Sequence, residues 1–78
     1  MSEIAFDEYV DAIGLLCPLP VLRARKVLAG MARGAVLAID TSDPMAVIDM
    51  PHFCAEAGHE LVLQSGIAGG TRWIIRRG

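Results

Sequence analysis

The sequence lacks an uncharged segment long enough to cross a membrane as a helix. The two longest, residues 12–22 and 61–71, each reach about half of the roughly 20 residues that a transmembrane helix needs, and prolines or glycines interrupt them. The hydrophobic fraction of 54% and the mean hydropathy of +0.48 therefore indicate a dense core. At 78 residues, the chain suffices for one compact domain and not for two.

Cysteine is scarce, and Cys17 and Cys54 follow neither the CxxC spacing nor a zinc-binding pattern. A secreted domain held together by disulfides would usually contain more cysteines. The first residues, Met1-Ser2-Glu3, lack the basic region with which a secretory signal begins. Neither a phosphate-binding loop nor a nucleotide fingerprint is present. We therefore expect a cytoplasmic protein that binds no metal and no cofactor and does not associate with a membrane.

The sequence also lacks the strong positive charge of a nucleic-acid-binding domain. Its net charge is −2, and its one basic cluster comprises Arg72, Arg76 and Arg77. Aromatic residues are limited to one Trp, one Tyr and two Phe. Of these, we expect Phe53 and Trp73 to lie in the core. These properties predict no direct nucleic-acid partner.

Periodicity and turn residues predict six secondary-structure elements. For the second helix the sequence leaves two alternatives: a helix from Asp43 that is kinked before Pro51, or a short turn followed by a helix from Asp49. Apolar residues at steps of three and four predict the buried side of the first helix, which comprises Val21, Leu22, Ala24, Leu28 and Met31. The predicted elements are a strand over 8–13, a helix over 18–31, a strand over 36–39, a second helix ending near residue 57, and strands over 59–64 and 71–77.

This order predicts an α+β fold, a two-layer sandwich of the form β-α-β-α-β-β with two helices packed on one face of a mixed four-stranded sheet. The last two strands should form a hairpin with a glycine-rich loop of about five or six residues within 65–70. Alternation predicts that Leu61 and Leu63 share one face of their strand, and that Trp73 and Ile75 share one face of the next. We treat residues 1–78 as a single domain in which residues 1–7 are a flexible N-terminal segment.

Cys17 lies between the first strand, with its turn at Gly14, and the first helix. We expect it at or beside the N-cap, with Pro18 in the first helical position. The positive end of a helix favours a thiolate, so we expect the dipole to lower the pKa of Cys17 by less than about one unit. Pro18 and Pro20 have fixed φ and should stiffen the loop. A stiff, protruding thiol can enter another protein's active site at a low entropic cost.

The other candidate residues have less distinctive settings. Arg25 and Lys26 lie roughly 12 to 13 Å along the helix from Cys17, too far to pair with its sulfur, and are expected to form a charged surface for an acidic partner. We expect Cys54 to be a buried thiol on an apolar stripe with Val47, Met50 and Ala57. Surface or capping roles are expected for the histidines and carboxylates, namely His52, His59, Asp11, Asp43 and Asp49.

The residues around Cys17 resemble the signature of the TusA/SirA family of small sulfur-carrier proteins. The match begins with the run DAIGLLCPLP over residues 11–20, in which an aspartate and a glycine precede a Cys-Pro-x-Pro element. The resemblance extends from about Tyr9 to the end of the chain. Further matching segments are Asp43-Pro44, Asp49-Met50-Pro51, Phe53-Cys54, Gly58-His59-Glu60-Leu61 and Trp73-Ile74-Ile75-Arg76-Arg77.

The resemblance implies that Cys17 accepts sulfur as a persulfide from a cysteine desulfurase or a rhodanese-like donor. It would pass the sulfur to an acceptor protein of a DsrE/TusD-like or similar kind. Family members serve tRNA thiolation, sulfur oxidation, or molybdenum-cofactor and selenium-related metabolism. In the tRNA-thiolation branch, an acidic residue stands where this chain has Leu19. The resemblance places Arg25 and Lys26 at the partner-binding surface. We expect residues 43–51 to frame that surface, with Asp43 and Asp49 as further partner-binding residues, and Gly14, Pro18 and Pro20 to support the thiol.

Two alternatives from other functional classes remain open. The first is a non-catalytic regulatory or RNA-binding module, for which salt-dependent RNA binding is the discriminating observation. The second is a thiol redox enzyme that uses Cys17 and Cys54, for which a reversible disulfide would be diagnostic. The sequence also leaves open whether a sulfur carrier of this kind is an enzyme in its own right.

Overall fold

The structure, a computed structural model, describes residues 5–78 and contains the six expected elements in the expected order. None of the helices within these residues is long and apolar enough to span a bilayer. Part of the expected flexible N-terminal segment, residues 1–4, lies outside the described residues. The elements are β1 (Glu8–Ala12), α1 (Leu19–Ala29), β2 (Val36–Thr41), α2 (Ala46–Ala57), β3 (Glu60–Ile67) and β4 (Gly70–Arg76).

The four strands form one mixed sheet in the order β1-β2-β4-β3, which the sequence could not predict. β1 and β2 are parallel, as expected for a strand–helix–strand unit, whereas β4 is antiparallel to both of its neighbours. Because β1 and β2 are parallel neighbours, the segments that follow them emerge at the same edge of the sheet. The α+β fold with two helices on a mixed four-stranded sheet is confirmed.

Both helices pack against the same face of the sheet. Trp73 and Ile75 are fully buried there, which confirms the predicted face of the last strand, and the Trp73 indole donates a hydrogen bond to Thr41 Oγ1 at 2.9 Å. Cys54 and Met50 are buried, whereas Val47 of the same predicted stripe is exposed. The core cluster comprises Ala12, Ala24, Leu28, Leu37, Ile39, Ala46, Met50, Phe53, Cys54, Trp73 and Ile75.

The opposite face of the sheet carries an ion-pair network. The Arg72 guanidinium donates two hydrogen bonds to the Asp40 carboxylate, at 2.7 and 2.8 Å, and the Tyr9 hydroxyl donates a third at 2.7 Å. Arg76 lies on this face as well and pairs with Glu60 at 2.6 Å. Hydrogen bonding to Arg72 holds the pKa of Asp40 below its ordinary value, although burial opposes that shift.

The hairpin between β3 and β4 is tighter than the predicted loop of five or six residues. β3 continues to Ile67 and β4 begins at Gly70, because Ser65 and Gly66 pair with β4 instead of forming a loop. A Cβ atom at Gly70 would collide with the carbonyl oxygen of Thr41. Glycine at this position therefore permits a close approach of two backbones and is not a loop residue.

The prediction that Leu61 and Leu63 share one face is wrong. A register shift between them places Leu61 opposite Ile75 and Leu63 opposite Ile74. Since Ile74 and Ile75 point to opposite faces of β4, Leu61 packs on the core while Leu63 is 40% exposed. A bulge inserts one extra residue into a strand and so reverses the faces of the residues beyond it.

The second helix continues through Pro51, which lies inside α2. The continuous-helix alternative is therefore the better one, although the helix starts at Ala46 and not at Asp43. A turn precedes it, in which the backbone amide of Ala46 donates to the carbonyl of Asp43 at 3.0 Å. The helix ends at Gly58, whose φ of +78° is the left-handed conformation that favours glycine.

Candidate functional site

The loop between β1 and α1, residues 13–18, is fixed by hydrogen bonds at its first turn. Gly14 adopts a φ of +86° and its amide donates to Ser42 Oγ at 2.8 Å. The Ile13 amide donates to Asp11 Oδ1 at 3.0 Å, so Asp11 accepts a hydrogen bond from the start of this turn. Because Ser42 follows β2 directly, the bond from Gly14 ties the loop after β1 to the segment after β2.

Asp43 fixes the backbone of Cys17. Its Oδ2 accepts a hydrogen bond from the Cys17 amide at 2.6 Å, while its Oδ1 accepts one from the Met45 amide at 3.1 Å. One carboxylate therefore joins the cysteine loop to the turn that precedes α2. The capping role expected of Asp43 accounts for only the second of these bonds.

Asp49 contacts the sulfur itself. The Cys17 thiol donates a hydrogen bond to Asp49 Oδ2 at 3.0 Å, and Asp49 lies in the first turn of α2. Sequence reasoning expected Asp49 to be a helix cap or a partner-surface residue and missed this contact. Cys17 is nevertheless exposed, so a thiol of another protein can approach it from solvent.

The acidic surroundings raise the pKa of the Cys17 thiol, so the expected lowering by the helix dipole is wrong. The hydrogen bond to Asp49 is the largest cause, burial is the next, and the negative charges of Asp49 and Asp43 add to both. A helix dipole contributes only a partial positive charge at its N-terminus. Here a full negative charge lies in direct contact with the sulfur and outweighs it.

The start of α1 lies one residue later than predicted. Pro18 occupies the cap, with φ −98° and ψ 15°, and the helix begins at Leu19. Pro20 therefore falls within the first turn and is buried. The peptide bond between Cys17 and Pro18 is cis. Leu22, which was predicted to face the core, is 49% exposed.

An open groove of about 270 Å³ lies beside Cys17 between α1 and α2. Arg25 lines this groove, with its guanidinium 5.4 Å from the centre of the Phe53 ring. Lys26, the other basic candidate, is exposed and does not line it. The lining residues are Cys17, Pro18, Val21, Arg25, Asp49, His52, Phe53 and Glu56.

His52 and Glu56 also line the groove, although sequence reasoning did not assign them to the site. They lie 3.5 Å apart on the exposed side of α2. Positions 49, 52, 53 and 56 follow helical spacing, so the sequence contained a signal that these residues share one face. A larger cavity of about 530 Å³ adjoins the groove, and Arg25, Phe53 and Glu56 line both.

Four large, exposed apolar side chains lie near Cys17 along the chain or within two residues of the carboxylates that bind it, and we name them the apolar rim: Leu16, Leu19, Met45 and Ile48. Leu16 and Ile48 are the most exposed, at 68% and 65%. The first two flank Cys17 along the chain, and the other two neighbour the carboxylates that bind it. Concentrated exposure of this kind on a small domain is typical of a protein-binding surface.

The remaining candidates lie away from the reactive sulfur. Cys54 is 2% exposed, and burial raises the pKa of its thiol to about 11, so it is a poor nucleophile. His59 Nδ1 accepts a hydrogen bond from the Gly78 amide at 3.0 Å, and burial, followed by the charge of Arg77, lowers its pKa. Within residues 5–78, no three side chains of His, Cys, Asp or Glu are grouped as metal ligands would be.

The chain is similar in sequence to proteins of a known family. A family model described as "Sulfurtransferase TusA" matches residues 8–77. The "Sulfur carrier protein TusA" of Allochromatium vinosum is 40% identical over 72 residues, which cover 92% of this chain and 95% of that protein. The protein of the same name from Pseudomonas entomophila is 39% identical over 77 residues, covering 99% and 96%.

A solved structure shares the fold. The crystal structure of the SirA-like protein from Desulfitobacterium hafniense superimposes with a TM-score of 0.81 at 25% identity, covering 92% of this chain and 99% of that one. The sequence match extends over all six elements, and the structural likeness over nearly the whole chain. The chain therefore belongs to the TusA family.

Proposed function

We propose that this protein is a cytoplasmic sulfur carrier that holds a transferable sulfur atom as a persulfide on Cys17. A cysteine desulfurase or a rhodanese-like protein would supply the sulfur, and an acceptor protein of the DsrE/TusD-like kind would receive it, for tRNA thiolation or another branch of sulfur metabolism. The observation that carries the proposal is an exposed thiol on a backbone-anchored loop beside an open groove. Two relatives with about 40% identity are named sulfur carriers, which supports it.

The transfer needs no oxidant and no reductant. The Cys17 thiolate attacks the outer sulfur of a donor persulfide and a new sulfur–sulfur bond forms. The donor's own sulfur–sulfur bond breaks, its electron pair goes to the inner sulfur, and that sulfur leaves as a thiol after taking up the proton that Cys17 lost. An acceptor thiolate then repeats the same step on the outer sulfur held by Cys17. In this way the sulfur moves without a net change in oxidation state.

The apolar rim supports a protein and not a small molecule as the source of the sulfur. Two sulfur atoms must approach within bonding distance, so the partner's surface must lie against the residues around Cys17. Leu16 and Ile48 project most of their surface into solvent at that point. Removing such side chains from water favours association, and this gain offsets part of the translational and side-chain freedom that the two proteins lose on binding.

The test is to incubate the reduced protein with a desulfurase and cysteine, or with a rhodanese and thiosulfate, and to measure its intact mass. We expect the wild type to gain the mass of one sulfur atom and Cys17→Ser to gain none. Cys54→Ser is the matched control and should still be loaded, because Cys54 is buried. An unchanged wild-type mass with several competent donors would contradict the proposal.

A further inference from the structure

The contact between Asp49 and Cys17 has no equivalent elsewhere in the described chain. Both oxygens of Asp43 are occupied by backbone amides, whereas the thiol of Cys17 is the only group that donates a hydrogen bond to the Asp49 side chain within residues 5–78. Asp43 is thus part of the loop's framework. Asp49 is half-buried, has one partner, and can change that partner without unfolding the loop.

We propose that Asp49 is a positioning residue that holds Cys17 as a neutral thiol in the free carrier and releases it when a docking sulfur donor draws the carboxylate away with a cation or an N–H group. This inference rests on the proposed function, because it concerns the nucleophile of that transfer. In this proposal Asp49 controls the protonation of the Cys17 sulfur, in addition to any contact that it makes with a partner.

The physical reason is the proximity of the two groups. Removing the proton from Cys17 would place a thiolate about 3.0 Å from a carboxylate oxygen, and two like charges at that separation repel each other. A carboxylate is a much weaker base than a thiolate, so the proton stays on sulfur and Asp49 acts as a hydrogen-bond acceptor and not as a general base. The pKa of Cys17 is raised accordingly.

The other charged groups of the groove do not cancel this effect. Besides Cys17 and Asp49, the charged or titratable side chains that line the groove are Arg25, His52 and Glu56. The Arg25 guanidinium stacks over Phe53, His52 lies 3.5 Å from Glu56, and neither Arg25 nor His52 donates a hydrogen bond to Cys17. The contact between Asp49 and the sulfur therefore remains the main influence on the protonation of Cys17.

Holding the thiol neutral protects an exposed cysteine. Thiolate is the form that oxidants and stray electrophiles attack, so an exposed sulfur that stays protonated resists both. When a docked donor engages Asp49, the acceptor of the S–H bond is lost and Cys17 can become a thiolate. The proton passes to the inner sulfur of the donor, which leaves as a thiol, while the outer sulfur bonds to Cys17. Reactivity is thereby confined to the docked complex.

The first test is the rate of alkylation of Cys17 by iodoacetamide between about pH 6 and pH 10, followed by intact mass, for wild type and Asp49→Asn. Each unit by which a thiol's pKa falls raises its thiolate fraction about tenfold, and its net reactivity about threefold because nucleophilicity falls with basicity. We expect Asp49→Asn to react about threefold faster near neutral pH, with its profile displaced to lower pH. Glu8→Gln, which removes a remote exposed charge, is the control. Coincident profiles of wild type and a folded Asp49→Asn would overturn the inference.

The second test compares two sulfur sources, a protein donor and glutathione persulfide. We expect glutathione persulfide to load Asp49→Asn with sulfur faster than wild type. The difference in rate should be smaller with the protein donor, because that donor has already displaced the Asp49 carboxylate in wild type. An equal difference in loading rate with both sources would overturn the claim that a docked donor displaces Asp49. A wild type that no donor loads would refute the proposed function, and the alkylation profiles would still show whether Asp49 holds the thiol.

Discussion

At the scale of single residues, the two cysteines show how setting determines the chemistry of a side chain. Cys17 is exposed, anchored through its amide by Asp43 and hydrogen-bonded through its sulfur to Asp49. Cys54 is packed in the core between the helices and the sheet. Both thiols have a raised pKa, but a carboxylate that can move away is the main cause for Cys17, whereas permanent burial is the cause for Cys54.

The buried thiol leads to a prediction about alkaline stability. The folded-state pKa of Cys54 is about 11, above the value of an unfolded thiol, so its contribution to stability is complete below about pH 9 and is lost as pH rises through about 11. The full loss amounts to roughly 3 kcal/mol, for a shift of about two pKa units at about 1.4 kcal/mol each. We expect Cys54→Ala to be less stable than wild type at neutral pH by about 1 kcal/mol. Between pH 9 and 11 its free energy of unfolding should fall by less than that of wild type, because it has no thiol at position 54 to ionise. Urea unfolding at a series of pH values measures both effects, and parallel pH dependences of the two proteins would contradict this account.

At the scale of elements, the site is assembled from three segments that are distant in sequence. The loop after β1 carries Cys17, the turn after β2 carries Asp43, and the first turn of α2 carries Asp49. Parallel pairing of β1 and β2 brings the first two together at one edge of the sheet. The packing of α2 beside α1 then brings Asp49 onto the sulfur and forms the groove.

The apolar rim at this junction should be needed for partner binding and not for folding. Ile48 is 65% exposed, so we expect Ile48→Asp to change the free energy of unfolding by less than about 0.5 kcal/mol. We expect it to slow loading from a protein donor roughly tenfold, equivalent to about 1.4 kcal/mol of lost binding. Titration of the donor concentration in the mass-shift assay measures this effect.

Leu63→Asp is the matched control for that experiment. Leu63 is also exposed and apolar, but the register shift in β3 places it on the face of the sheet opposite the helices. Its replacement should leave loading within twofold of wild type, on the order of the scatter expected for a remote surface change. Equal losses in Ile48→Asp and Leu63→Asp would show that the rim has no special role.

At the scale of the whole molecule, the two faces of the sheet are stabilised by different forces. The inner face is covered by both helices and depends on apolar burial around Trp73. Within residues 5–78, no helix covers the outer face, and Asp40 there joins three strands through its bonds with Tyr9 on β1 and Arg72 on β4. This network provides a buried carboxylate with hydrogen-bond partners on that face.

This network predicts how the fold responds to acid. Because the folded-state pKa of Asp40 lies below the unfolded value, its contribution to stability is present above about pH 4 and is lost as pH falls through the folded-state pKa. We expect Asp40→Asn to cost about 1 to 3 kcal/mol at neutral pH, because Arg72 loses its charged partner. The cost should shrink at low pH, where Asp40 of the wild type is protonated as well. Denaturant unfolding at neutral and acid pH checks this, and an equal cost at both would argue against the ion pair.

The sequence by itself determined the elements, the position of Cys17 just before the first helix, and much of the core. Apolar periodicity and glycine positions follow from local geometry, so they located both helices and placed Trp73 and Ile75 on the buried face. The same locality explains the errors. A bulge reversed the face of Leu63, and pairing to β4 extended β3 through glycines that had suggested a loop.

Only the tertiary structure decided the chemistry around Cys17. Its two hydrogen-bond partners lie 26 and 32 positions away along the chain, and no local pattern encodes such distances. The strand order of the sheet had to be known before the segments after β1 and β2 could be placed side by side. Electrostatic interaction depends on separation in space, so the sequence could identify the thiol from its neighbours but not the carboxylates that raise its pKa.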